Sequence, residues 1–212
     1  AAAQPRRLAA TAGVHPHHAG SAPRDQLARQ RELLARREVR AVGETGLDFH
    51  RDFSPRADQE RVFVAQLELA AETGVPLFLH ERGTQGRFFE LLAPFVGEVH
   101  GVLHCFTGSE EDLDRALEAG LHIGVTGWIC DERRGGELRR LAPRIPENRL
   151  LVETDAPYLL PRTIRPRRKS RRNEPALLPW VLDTLAACRE QSPHALAAST
   201  TANARTLFAL ED

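Results

Sequence analysis

The sequence has no methionine, only one lysine (Lys169), and no run of apolar residues long enough to span a membrane. A chain without an initiator methionine is expected when a segment is cut from a longer reading frame. The 3 cysteines are Cys105, Cys130 and Cys188. Their odd number and wide spacing exclude a disulfide framework and a CxxC zinc knuckle. They indicate free thiols in a reducing compartment, and we therefore expect a cytoplasmic protein.

An excess of one charge is also lacking, because 29 basic and 29 acidic residues balance. This balance argues against a protein that coats nucleic acid non-specifically, but it allows an enzyme that binds DNA through one local basic patch. The 42% of hydrophobic residues are enough for a sizeable core. No linker, repeat or low-complexity stretch interrupts the chain, so a single domain over residues 1–212 is predicted.

Short apolar segments alternate with longer amphipathic segments along the chain. The predicted strands are Leu8–Val14, Val39–Gly43, Val75–Leu79, Gly101–Cys105, Leu121–Val125 and Leu150–Val152. The predicted helices span residues 25–37, 55–73, 87–95, 110–119, 137–141, 176–189 and 195–207. We expect Ser54 to cap the second helix and Gly74 to end it. The alternation predicts an α/β protein with a parallel sheet and right-handed crossovers.

Ionisable residues lie at the ends of five of the predicted strands. They are His15, Glu44, His80, His104 and the pair Glu153 and Asp155. Periodicity alone leaves a doubly wound sheet and a (β/α) barrel open, and no glycine-rich phosphate loop occurs. The strand-end residues favour the barrel, because the carboxyl ends of all barrel strands face one side. Imidazoles and carboxylates that converge there would form a divalent metal site, which can lower the pKa of a bound water.

Each of these residues also has an ordinary structural explanation. A lone histidine at a strand end is more often solvated or hydrogen-bonded than a ligand, Glu44 could cap a turn, and Asp155 could begin the TDAP turn. Together, the successive strand-end residues favour a site. The remaining histidines are interpreted as surface or core residues: His17, His18, His50, His100, His122 and His194. We expect Cys105 to point to the opposite side of its strand from His104.

Several longer stretches carry a family resemblance that runs nearly end to end. They are AGVHPH (12–17), VGETGLDFHRDFSP (42–55), QERVFVAQLELA (59–70), PLFLHER (76–82), VLHCFTG (102–108), IGVTGWICDERRG (123–135), LLVETDAPYLLPR (150–162), RRNEPA (171–176) and TANARTLF (201–208). Together they resemble the TatD family of metal-dependent deoxyribonucleases. GWICDERRG with RRNEPA resembles the TatD branch itself.

The resemblance implies an α/β fold, a (β/α)8 TIM-type barrel of the amidohydrolase kind, with a divalent metal at its mouth. The implied metal ligands are Glu44, His80, His104 and Asp155. The implied catalytic residues are Glu153 and Asp155, near the attacking water, and His15, which contacts substrate or water. Mg²⁺ is the expected metal, although Mn²⁺ and Zn²⁺ accept such ligands. The implied activity is 3′→5′ exonuclease action on single-stranded DNA, with RNA as a further substrate and a role in DNA repair.

One feature departs from the family pattern. The family barrel has eight strands, whereas six are predicted here, and AGVHPH resembles the third. We therefore expect the first two strands and their helices to lie upstream. A barrel that lacks two strands leaves two sheet edges open, so the chain alone is expected to be unstable or inactive. The oligomeric state is left open.

Two other functions compete with a nuclease. A barrel hydrolase of amide, lactone or small phosphoester bonds often bridges two metals with a carbamylated lysine. Lys169, the only lysine, does not follow a predicted strand, which disfavours that class. A non-catalytic nucleic-acid scaffold would not need histidines and carboxylates at separate strand ends, and a metal-binding assay separates it from the enzymes.

A basic segment follows the TDAPYLLP stretch. It comprises Arg162, Arg165, Arg167, Arg168, Lys169, Arg171 and Arg172. It could be a solvated loop, or its guanidinium groups could bind the phosphates of a single strand beside the site. We expect Arg162 and Arg172 to bind substrate, with Asn173 and Glu174 fixing the loop.

Overall fold

The structure, a computed structural model, describes residues 1–4, 8–166 and 168–210. Arg167 of the basic segment therefore lies outside the described residues. The chain divides into two compact units. The first unit comprises Ala1–Leu103, Arg115–Leu121 and Arg205–Asp212, and the second comprises His104–Asp114 and His122–Ala204. The single domain over residues 1–212 stays a prediction.

Strands and helices alternate along the described residues. The strands are β1 (Ala10–Ala12), β2 (Val39–Asp48), β3 (Leu77–Arg82), β4 (Gly101–Leu103), β5 (His122–Val125) and β6 (Leu150–Val152). The α-helices are α1 (Gln26–Leu34), α2 (Arg56–Thr73), α3 (Arg87–Leu92), α4 (Glu110–Glu118), α5 (Gly136–Leu141), α6 (Leu178–Cys188) and α7 (Pro193–Leu207). The α/β class predicted from the alternation is confirmed. Within the described ranges, no helix has both the length and the apolar character needed to cross a membrane.

The first unit is built on a parallel sheet in which β1, β2, β3 and β4 pair in chain order. Its strands are apolar because both faces are buried: Leu47, Leu77 and Leu79 have no exposed surface. On α2, Phe63 stacks on Phe88 of α3 with 5.1 Å between ring centroids. This close packing fixes the positions of the strand ends that carry the polar residues.

Two buried glutamines of α2 fix the segments that follow β1 and β2. Gln66 accepts a hydrogen bond from the amide of Val14 at 2.8 Å and donates to Thr45 Oγ1 at 2.6 Å. Gln59 accepts from the amide of Asp48 at 2.9 Å and donates to Ser54 O at 2.8 Å. Because buried polar groups must be paired, these side chains set the paths of both loops.

The second unit contains the parallel pair β5 and β6, in which Ile123 lies opposite Leu150. Both side chains are fully buried. On α6, Val181 and Leu185 are likewise buried. The end of β5 and the end of β6 are adjacent, and the amide of Glu153 donates to Val125 O at 3.0 Å.

Several predicted boundaries were wrong. Strand β1 ends at Ala12 because the Val14 amide bonds to Gln66 and not to a neighbouring strand. Strand β2 continues five residues past the predicted end, to Asp48, and β3 extends with it.

The predicted cap of α2 was also wrong. Pro55 is the N-cap residue. The Ser54 hydroxyl instead donates to His17 O at 2.9 Å and accepts from the amide of Gly20 at 3.0 Å. The helix ends at Gly74 as predicted, with a left-handed φ of 67° that glycine adopts at little cost.

Candidate metal-binding active site

Three of the predicted site residues lie together in the first unit. The first group consists of His15, Glu44 and His80, whose ligand atoms lie within 4.8 Å of one another. His80 Nδ1 is 2.9 Å from Glu44 Oε1, and His15 Nε2 is 3.5 Å from the same oxygen. All three residues are partly exposed. The arrangement offers nitrogen and oxygen donors that solvent can reach.

The position of Glu44 follows from a register shift in β2. Gly43 lies opposite Phe78 and Thr45 lies opposite Leu79, so Glu44 is an extra residue in the pairing of β2 with β3. Such irregularities redirect a side chain. Beyond it, a Cβ on Gly46 would overlap the backbone oxygen of His80. The lack of a side chain at Gly46 lets the two strands approach, which brings the His80 ring to Glu44.

A buried carboxylate below this group was missed by the sequence analysis. The side chain of Asp48 is 2% exposed, and its Oδ2 is 2.8 Å from His17 Nε2 and 3.3 Å from His80 Nε2. The interpretation of His17 as an ordinary surface or core residue was therefore incomplete, since its ring also lies 4.2 Å from that of His15. The available signal was the GETGLD stretch, in which Glu44 and Asp48 are separated by an even number of positions within one strand.

The pKa values in the first unit reflect this network. Burial works against the charged form of His80, but hydrogen bonds to Asp48 and Glu44 outweigh it and raise the pKa of His80 above its ordinary value. Burial likewise opposes the charged form of Asp48, and the bonds from His80 and His17 still hold its pKa well below the usual range. Burial lowers the pKa of His17. Asp48 is thus an ionised anchor for two histidines.

The second unit holds the other predicted ligands. The second group consists of His104, Cys105 and Asp155, whose ligand atoms also lie within 4.8 Å of one another. His104 Nε2 is 3.6 Å from Asp155 Oδ1, and His104 Nδ1 is 2.6 Å from Glu153 Oε2. The second oxygen of Glu153 accepts the amide of Cys105 at 2.6 Å. Glu153 therefore fixes the His104 ring while its other nitrogen faces Asp155.

The surroundings of Glu153 are shaped to hold its carboxylate. A Cβ on Gly124 would overlap Glu153 Oε1, so only glycine leaves this space open. Buried Asn173 donates to Thr154 O at 2.8 Å and to Leu159 O at 3.3 Å. These bonds fix the turn that carries Asp155, a residue with a left-handed φ of 55°. The fixing of the basic segment by Asn173 and Glu174 stays a prediction.

Cys105 was predicted to lie on a strand and to point away from His104, which was wrong. Strand β4 ends at Leu103, and Cys105 has a left-handed φ of 48° that turns its thiol toward the second group. Burial raises the pKa of the Cys105 thiol to about 12. Because the thiolate is the form that binds metals, His104 and Asp155 are the better ligands of this group.

The basic segment is partly engaged in ion pairs. Arg162 Nε lies 3.1 Å from Asp131 Oδ2, a buried carboxylate, and Arg168 lies 2.9 Å from Glu174. Arg172 is exposed, and it precedes the buried Asn173 that fixes the Asp155 turn. Substrate binding by Arg162 and Arg172 stays a prediction.

The donor set fits a divalent cation. Both groups combine imidazole nitrogen with carboxylate oxygen, and in each a further carboxylate, Asp48 or Glu153, contacts the histidine at its other nitrogen. This second contact is typical of metal-binding histidines, where it fixes the ring and raises its basicity. The predicted ligands Glu44 and His80 lie in the first group, and His104 and Asp155 lie in the second.

Comparison with known proteins decides the family. Residues 1–209 match the family described as "TatD related DNase". The chain belongs to this family. It is 54% identical over 201 residues to the 3′-5′ ssDNA/RNA exonuclease TatD of Erwinia billingiae, in an alignment that covers 94% of this chain and 77% of the relative. It is 51% identical over 211 residues to the protein of that name from Yersinia pseudotuberculosis, in an alignment that covers 99% of this chain and 81% of the relative.

Solved structures of the family have the same fold. The YJJV TatD homologue of Escherichia coli is 29% identical, with a TM-score of 0.85 over 96% of this chain and 78% of that chain. A TatD family hydrolase of Entamoeba histolytica is 26% identical, with a TM-score of 0.81 over 95% of this chain and 74% of that chain. The family resemblance seen in the sequence is confirmed, and so is the TIM-type fold class. The protein is a hydrolase of phosphodiester bonds.

Proposed function

We propose that the protein is a divalent-metal-dependent 3′→5′ exonuclease that acts on single-stranded DNA and also accepts RNA. One observation carries the proposal. The chain belongs to a DNase family and contains two clusters in which imidazole and carboxylate donors lie within 4.8 Å of one another. In each cluster a further carboxylate contacts one histidine: Asp48 contacts His80, and Glu153 contacts His104. The names of relatives at 51% and 54% identity give the same activity. Mg²⁺, a cytoplasmic location and a role in DNA repair belong to this proposal.

The proposed ligands are Glu44, His80, His104 and Asp155. A bound cation would supply Lewis acidity and offset the charge that grows on the phosphoryl oxygens. The protein's own contribution is to hold those side chains in place. Asp48 does this for His80, and Glu153 does it for His104.

The proposed catalytic residues differ in their exposure and in whether their oxygen atoms already accept hydrogen bonds. Both oxygens of Glu153 already accept hydrogen bonds, from His104 and from the Cys105 amide. This supports an orienting role for Glu153. Asp155 is more exposed and is the better candidate to take a proton from the attacking water. His15, beside Glu44, would contact water or substrate.

Polarity and substrate class can be tested together. A 5′-labelled single strand is digested with Mg²⁺, beside the same strand whose 3′-terminal linkages are phosphorothioates. We expect a ladder that shortens from the 3′ end and is blocked by the modified linkages, with slower digestion of a duplex. Internal cleavage of a circular single strand at the same rate would contradict the exonuclease assignment.

A further inference from the structure

Phe53 is an exposed aromatic residue that lies close to the first group. The side chain of Phe53 lies in the loop between β2 and α2 and is 65% exposed, although phenylalanine is ordinarily buried. Its ring makes an edge contact with the His17 ring, at 4.8 Å between centroids and an interplanar angle of 70°. His17 in turn contacts the His15 ring at 4.2 Å. Phe53 is thus separated from a proposed site residue by a single imidazole.

The loop that carries Phe53 is held by hydrogen bonds. Asp48 Oδ1 accepts the amides of His50 and Arg51 at 3.1 and 2.8 Å. On the other side of Phe53, the Ser54 hydroxyl bonds to the segment around His17. The ring is therefore presented to solvent by a fixed backbone, and its exposure is a consequence of the loop geometry. A preorganised aromatic surface costs little entropy when it binds a ligand.

We propose that Phe53 stacks on a nucleobase of the single strand, at one of the two nucleotides that flank the scissile phosphate. The inference rests on the proposed nuclease function. The contact with His17 leaves Phe53 65% exposed, so its ring surface is accessible to a planar partner. Every base has a π-face, and stacking on aromatic side chains is a sequence-tolerant way to hold single strands. Such a contact suits an exonuclease, which must accept each base in turn.

The proposal predicts that binding depends on an aromatic ring and not merely on an apolar group at position 53. Loss of one base–aromatic stack costs about 1–3 kcal/mol, which corresponds to a rise in KM of about 5- to 150-fold. We therefore expect Phe53→Ala and Phe53→Leu to raise the KM for a mixed-sequence single strand by that factor, with little change in kcat. Phe53→Trp should restore the wild-type KM. Leu33→Ala, which removes an exposed apolar side chain of α1, is the matched control and should leave KM unchanged.

Abasic substrates separate stacking from packing of the loop. Single strands that lack one base, at either nucleotide flanking the first scissile phosphate, are compared with the intact strand. At one of the two positions the wild-type enzyme should lose the factor that Phe53→Ala loses, and the variant should lose nothing more. A Phe53→Leu variant with wild-type KM, or equal abasic losses in wild type and Phe53→Ala, would overturn the stacking role while leaving the nuclease function standing. A wild-type protein that neither binds nor digests any single strand overturns both.

Discussion

The first and second groups both combine imidazole and carboxylate donors, but the backbone structures that carry these donors differ. In the first unit, Glu44 and His80 lie within paired strands, and the anchor Asp48 is the last residue of β2. In the second unit, His104 follows a strand of only three residues, and Asp155 lies in a turn with a left-handed φ. His80 and His104 nevertheless each have a buried or partly buried carboxylate at one nitrogen and a proposed ligand at the other. The carboxylate anchor is therefore the common element, and the backbone around it can vary.

The largest expected effect comes from removing a ligand of either group. His80→Ala and His104→Ala should each reduce exonuclease turnover by more than about 100-fold, because even residues that only orient a ligand cost about 10–100-fold. Turnover of a labelled single strand in metal-defined buffer measures this. His18→Ala, an exposed histidine close in sequence to His15, serves as the control. A variant of one group with wild-type turnover would show that only the other group serves catalysis.

The two carboxylates that hold these histidines, Asp48 and Glu153, can be compared directly. Asp48→Asn and Glu153→Gln keep the size of the side chain and remove its charge, so each should weaken metal binding by about 10–100-fold. Titration calorimetry with Mn²⁺ measures the affinity without reference to activity. Asp58→Asn, which changes a partly exposed carboxylate paired with Arg61, is the control. Unchanged affinity in Asp48→Asn alone would mean that the first unit does not rely on its anchor.

The Asp48 anchor should also give stability a characteristic pH dependence. The lowered pKa of Asp48 stabilises the folded state above pH 3.8, and this contribution is lost as the pH falls through the folded pKa. The raised pKa of His80 stabilises it below pH 6.5, and this is lost as the pH rises through the folded pKa. The pair is thus strongest between these values.

For metal-free protein, Asp48→Asn should lower the free energy of unfolding by about 1–3 kcal/mol at pH 5. The difference should become smaller as the pH rises through the raised pKa of His80, so the comparison is made at pH 5 and pH 9. Urea denaturation at the two pH values measures it. An equal difference at both would show that the His80–Asp48 contact contributes as a neutral hydrogen bond.

The smallest expected effect concerns the basic segment. Replacing Arg167, Arg168 and Lys169 with serine should weaken single-strand binding. The slope of log K against log salt should flatten by about 0.7 for each phosphate that is no longer neutralised, or about 2 in total. The Arg29→Ser and Arg31→Ser pair on α1, whose arginines bond to Asp25 and Glu72, is the control. An unchanged slope would indicate a solvated loop.

Sequence patterns predicted the alternation of strands and helices well, because apolar periodicity reports burial. Strand β6 was predicted with its observed bounds, and Gly74 marks the end of α2. The ends of β2 and β4 were not predicted. The end of β2 depends on long-range contacts, such as the bond from the Asp48 amide to Gln59, that no local pattern contains.

The candidate site was predicted only in part, because a sequence pattern shows which residues lie at strand ends but not which distant segments come into contact. Residues at strand ends could be recognised as a candidate site, since ordinary structural roles explain each one singly but rarely place histidines and carboxylates at five strand ends. Asp48 and His17 were missed because their importance lies in a contact between segments 31 positions apart. The Cys105 thiol was misplaced because a left-handed residue breaks the alternation that strand reasoning assumes.

The central claim is that turnover depends on a divalent metal held by these imidazole and carboxylate groups. The most direct measurement is the digestion rate of a labelled single strand in chelator, followed by titration with Mg²⁺ and with Mn²⁺. We predict no digestion in chelator and full recovery when metal is restored to the wild-type protein, with little recovery in His80→Ala or His104→Ala. Digestion at the full rate in chelator would contradict the account.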